Sequence, residues 1–209
     1  MIDGLPVFEP EYKTSPYRWF LLMQYSLAVT SSAYMMMTFS PISKITAEVF
    51  GVDDIIVNSC VMVFLVTYVV LNFICVQALE KLGLKTTFKI CAIGTMLGAW
   101  GRYLLLEYTS NFMLLLIPQS FIAVFQPFIC IGCSKLATVW FSDSERALAT
   151  AVGSLSVPLG CITGMILGPF FVDESDLEDY KAGREHIQTY MFWSAVIVSV
   201  MSVPLILFY

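Results

Sequence analysis

The sequence predicts an all-α membrane protein with six transmembrane helices, and three observations carry that prediction. The chain is 58% hydrophobic and only 13% charged over 209 residues, with a mean hydropathy of +0.78. A water-soluble domain of this length must present a largely polar surface and has nowhere to hide so much apolar area. The apolar residues fall into six runs, each of about 20 residues or more, enough to cross ~30 Å of hydrocarbon as a helix. The sixteen acidic and eleven basic residues sit almost wholly in the gaps between runs. The net charge of −5 is therefore a property of loops, and it argues against a nucleic-acid partner.

Residues 1–17 are acidic and proline-bearing, with no basic n-region and no small-residue cleavage site. They read as a cytoplasmic tail, not a signal peptide; residues 18–209 form the six-helix transmembrane domain. The first span, Arg18–Pro41, carries a polar stripe in which Thr30, Tyr34 and Thr38 step by four with Ser31 beside them. Such a stripe faces other helices, either to hydrogen-bond between them or to line a cavity. Met35, Met36 and Met37 add a soft, adaptable surface. The second span, Ile56–Leu79, has a short polar face of Tyr68 and Asn72.

The third span, Thr87–Tyr108, contains Arg102, the one basic residue within an apolar run. Lying about 15 residues from the inner end, it is expected to snorkel to the outer interface; a solute contact is the other reading. The fourth span, Phe112–Trp140, holds two amides, Gln119 and Gln126, seven positions apart and so on one helix face. A membrane helix keeps such groups cheaply only where they face protein or a wet cavity. The fifth span, Ala147–Val172, follows Ser142–Glu145, which has the spacing of a capping box. Within it Gly160, Gly164 and Gly168 recur every four residues, a smooth face for close helix packing, with Pro158 and Pro169 able to bend the helix. The sixth, Ile187–Tyr209, stops in apolar sequence without a polar tail, which reads as a chain cut at a boundary.

Basic residues near the helix ends set the orientation. Lys13 and Arg18, then Lys81, Lys85 and Lys89, then Lys135 and Arg146 mark one side; the other has Lys44, Lys181 and Arg184 with the acidic cluster Asp173, Glu174, Asp176, Glu178 and Asp179. The N-terminus is thus expected in the cytoplasm. The six cysteines all lie inside apolar runs, where they read as small apolar free thiols, not a disulfide framework. Cys130 and Cys133 form CxxC, but no second pair accompanies them and the single histidine, His186, is remote. No paired acids, Ser/His or Cys/His constellation or HExxH stretch points to an enzyme, and nothing calls for a metal or cofactor.

The loop LEKLGLKTT, with Glu80, Lys81, Gly83 and Lys85, resembles the loop signature of the major facilitator superfamily. Glu80 stands in place of the usual aspartate and Val76 in place of the leading glycine. LGAWGR (Leu97–Arg102), the pair Gln119 and Gln126, SKLATVWF (Ser134–Phe141), RWF (Arg18–Phe20) and FSPIS (Phe39–Ser43) resemble the branch of feline leukaemia virus subgroup C receptor-related transporters. The resemblance covers nearly the whole chain. It implies the N-terminal half of a facilitator fold, a 3+3 inverted repeat whose partner is a second six-helix half. It also implies a solute such as choline, ethanolamine, haem or a related metabolite, and carries a pocket role to Gln126. The branch's aromatic in helix one, suited to a quaternary ammonium, corresponds to Met36.

The expected function is alternating-access transport of a small organic solute across a lipid bilayer, with the plasma membrane preferred. Gln126, Gln119, Tyr34, Thr38 and Met36 are the candidate solute-binding residues. Glu80, Lys81, Gly83, Lys85 and Arg146 are the candidates for a cytoplasmic gating network; positive-inside topology explains the lysines equally well. No acid or arginine lies in the inner part of spans one, two or four, which favours passive or exchange transport over proton coupling. The alternative is a non-transporting, shortened facilitator that serves as a membrane scaffold or accessory subunit.

Overall fold

The computed structural model describes residues 15–109, 111–177 and 179–209. Lys13 and most of the expected tail, and Glu178 of the acidic cluster, lie outside the described residues. Among the described residues six α-helices run in chain order: α1 (Tyr17–Met37), α2 (Ser43–Phe50), α3 (Asp54–Tyr108), α4 (Leu116–Trp140), α5 (Asp143–Phe171) and α6 (Tyr180–Phe208). Among the described residues there is no strand.

Local chemistry explains the boundaries. Helix α1 stops at Met37 because Pro41, four residues on, has no N–H to offer the Met37 carbonyl. The chain turns through Ser40–Ile42 into α2, a surface helix closed by Gly51 at φ 63°, the left-handed conformation that a glycine adopts without strain. Asp53 caps α3, accepting the Ile55 N–H. Within α3, Gly83 has φ 75° and ψ 163°, a conformation nearly restricted to glycine. It divides the element into arms 54–82 and 84–108, the second and third apolar runs of the sequence. Asp179 caps α6 by accepting from Lys181 and Ala182.

Among the described residues, four helical stretches are long and apolar enough to cross a membrane: Asp54–Tyr108, Phe112–Trp140, Asp143–Phe171 and Tyr180–Phe208. Helix α1 is not among them, because Gln24, Ser31, Ser32 and Tyr34 occupy its buried positions. The described core is layered along the bundle. One end gathers Tyr25, Phe88, Ile129, Leu136 and Phe141; the middle gathers Met35, Phe64, Ala99, Ile122 and Val198; the other end gathers Phe39, Ile42, Phe112, Ile187 and Tyr190.

The most extensive packing is of α3 on α4, α1 on α5 and α3 on α6. The glycines of α5 lie against α1: a Cβ on Gly160 would meet the Thr30 carbonyl at 2.3 Å, and one on Gly164 would meet the Tyr34 carbonyl at 3.0 Å. Gly168 faces Pro41 and Ile42. By contrast, Met62, Leu65, Val66, Val69 and Phe73 leave an apolar face of arm 54–82 exposed.

Two expectations fail. Arg102 does not snorkel: it is 0% exposed and faces α1 and α6 inside the bundle. The capping box does not close either. The Ser142 hydroxyl binds the Glu145 carboxylate and caps no backbone N–H, because Glu145 is drawn to Arg18, 2.8 Å away at the start of α1.

Candidate functional site

The polar residues singled out in α1 and α4 divide into two environments. Gln119 is 0% exposed, and its Nε2 donates to the Cys60 carbonyl at 3.1 Å, joining α4 to arm 54–82. Tyr34 crosses to α6, with its hydroxyl 2.5 Å from that of Ser194. The Thr38 hydroxyl turns back onto its own helix, reaching the Tyr34 and Met35 carbonyls at 3.0 and 3.2 Å. All three side chains lie within packed helix contacts, with the Gln119 Oε1 enclosed there without a recorded partner.

Gln126 and Met36 differ. They retain 6% and 9% exposure. The recorded partner of the Gln126 Nε2 is the Met36 sulfur at 3.7 Å, and a thioether is a weak acceptor. The amide of Gln126 therefore keeps most of its hydrogen-bonding capacity at a position that is still partly open, whereas Gln119 has given one N–H to backbone and encloses its Oε1 without a recorded partner. Pro127 directly follows, inside α4; proline removes an N–H from the helix ladder and opens a carbonyl one turn back. Gln126 and Met36 sit where α1 and α4 meet in the middle of the bundle.

At the end of the bundle that holds Gly83, the predicted network is not assembled within this chain. Glu80, Lys81 and Lys85 are exposed, and among the described residues no ion pair links them to one another or to Arg146. Arg146 pairs with Asp143 at 2.7 Å, and Lys135 donates to the Leu79 carbonyl at 3.3 Å. The ion pair that does tie two long helices together is Arg18–Glu145, with the Arg18 guanidinium also 5.7 Å from the centre of the Phe141 ring. A cleft of about 630 Å³ opens beside it, lined by Leu21, Leu84, Lys85, Lys135, Trp140 and Tyr209. Among the described residues no group of His, Cys, Asp and Glu is arranged to hold a metal.

A family model for the Major Facilitator Superfamily matches residues 25–209. The chain belongs to that superfamily. Within it, the chain falls in the FLVCR-related branch. It is 28% identical over 181 residues to solute carrier family 49 member A3 of Xenopus tropicalis, covering 83% of this chain and 37% of that protein. It is 30% identical over 167 residues to the choline/ethanolamine transporter FLVCR1 of Mus musculus, covering 80% of this chain and 30% of that protein. With the choline/ethanolamine transporter flvcr2a of Danio rerio the identity is 27%, over 88% of this chain and 38% of the relative. This facilitator chain thus spans about a third of the length of the curated relatives it matches. It is an integral membrane protein of a transporter superfamily.

Two features escaped the reading of the sequence. The Arg18–Glu145 pair spans the chain between distant helix starts, and no local spacing announces it. The buried setting of Arg102 did leave a trace: Thr95, Ala99, Arg102 and Leu106 recur at helical spacing on one buried stripe of α3, the kind of small-residue face that meets protein, not lipid.

Proposed function

We propose that this chain is one half of a transporter that moves a small organic solute by alternating access, with Gln126 and Met36 facing the solute. The carrying observation is the contrast between the two amides of α4. Gln119 is sealed at 0% exposure with one N–H on a backbone carbonyl and its Oε1 enclosed without a recorded partner, whereas Gln126 keeps 6% exposure and has only a thioether as its recorded partner. A buried amide without a good partner is destabilising, and its retention in a superfamily of carriers suits a group that is completed by a passing solute.

In this reading α1, the two arms of α3, α4, α5 and α6 are six spans in a 3+3 repeat, with the N-terminus in the cytoplasm. A second six-helix half, from the same gene or another chain, opposes this one, and the exposed faces of arm 54–82 and α5 rock against it. Tyr34, Thr38 and Gln119 hold the helices that present the pocket. Glu80, Lys81 and Lys85, exposed beside the bend at Gly83, engage that other half in gating, with Arg146 nearby. Choline, ethanolamine and haem are the first solutes to test. Met36 offers no ring face for a quaternary ammonium, so neutral and zwitterionic relatives of these belong in the panel.

The deciding experiment is uptake into proteoliposomes containing the intact protein. Gln126→Ala is expected to lower transport at least tenfold, the worth of one well-made polar contact to a charged or strongly polar solute, while Gln119→Leu leaves transport intact in the protein that folds. Equal effects of the two substitutions would remove Gln126 from the pocket.

A further inference from the structure

Arg102 is a full positive charge buried in the outer part of the bundle with no carboxylate to meet it. It is 0% exposed, and among the described residues no ion pair includes it. The titratable groups around it are the Tyr34 and Tyr190 hydroxyls and the Cys60 thiol. A guanidinium stays charged in a protein, and an uncompensated buried charge is strongly destabilising. Its surroundings show what offsets that penalty. Nη1 lies 2.9 Å from the Met35 sulfur and donates to the Met35 carbonyl at 3.4 Å. Nη2 lies 3.2 Å from the Met191 sulfur on α6, and the guanidinium stands 4.8 Å from the centre of the Phe39 ring.

Three of these four contacts belong to the last turn of α1 and its exit. That is where a helix dipole is negative and its carbonyls lack helical donors, a condition sharpened by Pro41. The opposite side of α1 is the glycine face of α5, where Thr30 donates to the Ser156 carbonyl; the Arg18–Glu145 pair joins the two helices only at their far ends. A smooth glycine contact resists approach but opposes sliding and rotation weakly. The axial register of this end of α1 therefore rests on the other sides, on the Tyr34–Ser194 bond to α6 and on Arg102, which alone among the described residues reaches the Met35 carbonyl from another helix. Met36 is the next residue after Met35, so whatever fixes the Met35 backbone also fixes the sulfur that meets Gln126.

We propose that Arg102 is a positioning residue: its guanidinium caps and grips the outer end of α1 and sets where Met36 stands relative to Gln126. This rests on the reading of Met36 and Gln126 as solute-facing, but its first readout does not. In the intact protein with its cysteines replaced, single cysteines are placed by Met36→Cys or Val124→Cys, and each is labelled with a membrane-impermeant methanethiosulfonate reagent with and without Arg102→Met. Loss of one buried contact to a charged group is expected to change the labelling rate at position 36 by about tenfold and leave position 124 on α4 unchanged. In parallel, the KM for choline is expected to rise with kcat largely kept. Arg102→Lys, which retains the charge and loses the planar fork, is expected to restore labelling only in part.

Unchanged labelling at position 36 in both variants overturns the proposal. So does an equal change at both positions, or failure of both variants to reach the membrane, since each makes Arg102 a general support of the bundle. If choline is not transported while labelling shifts as expected, the pocket reading fails and the grip on α1 stands.

Discussion

Replacing Gly160 with alanine puts a methyl group into space that the backbone of α1 already occupies. The new Cβ would lie 2.3 Å from the Thr30 carbonyl oxygen, 2.7 Å from the Ala33 Cβ and 3.0 Å from the Tyr34 nitrogen. A carbon and a carbonyl oxygen rest at about 3.3–3.6 Å, so the two helices must separate locally by about 1 Å. Two of the three obstacles are backbone atoms, which cannot turn aside as a side chain does, and the separation stretches the 3.2 Å bond from Thr30 to the Ser156 carbonyl. Overpacking of this kind costs about 1–3 kcal/mol, and alanine returns about 1 kcal/mol of helix propensity. With rigid obstacles the cost belongs at or above the upper end, for a net loss of about 2 kcal/mol. Gly101 is the internal control: its Cβ would meet only the Pro118 Cβ at 3.4 Å, so Gly101→Ala is expected to be neutral or to gain up to about 1 kcal/mol. Cys60, Cys75, Cys91 and Cys133 are buried free thiols, which makes thermal unfolding in detergent readable with a thiol-reactive fluorophore. The Gly160→Ala midpoint should fall clearly and the Gly101→Ala midpoint should hold or rise. Midpoints that move together, or a Gly160→Ala protein as stable as the parent, would refute close packing of α5 on α1.

Three further outcomes are expected. Gly83→Ala meets no atom within 4 Å, so its cost is backbone strain alone, about 1–3 kcal/mol; it should show as faster proteolysis of the bend between the arms of α3. Arg18→Ala and Glu145→Ala should each destabilise by about 1 kcal/mol and, in a double-mutant cycle, fail to add, with the coupling reduced by salt; strict additivity would dismiss the ion pair as a tie between α1 and α5. The Ser175 hydroxyl and N–H both donate to Asp173 and hold its carboxyl below the usual carboxylate range. Because the folded state favours the ionised form, that contribution is present above the ordinary aspartate range and is lost as pH falls through the depressed value. Ser175→Ala should move the Asp173 titration, followed by carboxyl NMR, back upward.

Elements whose cause is local were legible in the sequence. The bend at Gly83 follows from a glycine set among charged residues at the end of an apolar run, and the stop of α1 follows from Pro41. What escaped depends on neighbours that spacing does not name. Ser142 and Glu145 have the separation of a capping box, but Arg18, more than a hundred residues away in sequence, competes for the carboxylate and wins it. For Arg102 the direction of the side chain was not legible from its place along the helix: it faces α1 and α6, not the surface. Distance from the helix end gives depth in the bilayer, while the buried stripe of Thr95 and Ala99 gives the side; only the second tells lipid from protein.

The two amides of α4 show the same limit within the candidate site. Seven residues are close to two full turns, so Gln119 and Gln126 project in nearly the same direction, about 10 Å apart along the axis. Sharing a face did not give them a shared environment. At the level of Gln119, arm 54–82 lies close enough for its Cys60 carbonyl to take the amide proton; at the level of Gln126, the recorded partner is the Met36 sulfur of α1. Helical periodicity fixes the angle at which a side chain leaves its helix, whereas the identity and distance of what it meets depend on how the neighbouring helices diverge with depth. A polar stripe in a membrane helix therefore marks where protein or water must lie, and only the packing separates an amide that gives an N–H to a neighbouring backbone from one whose recorded partner is a thioether.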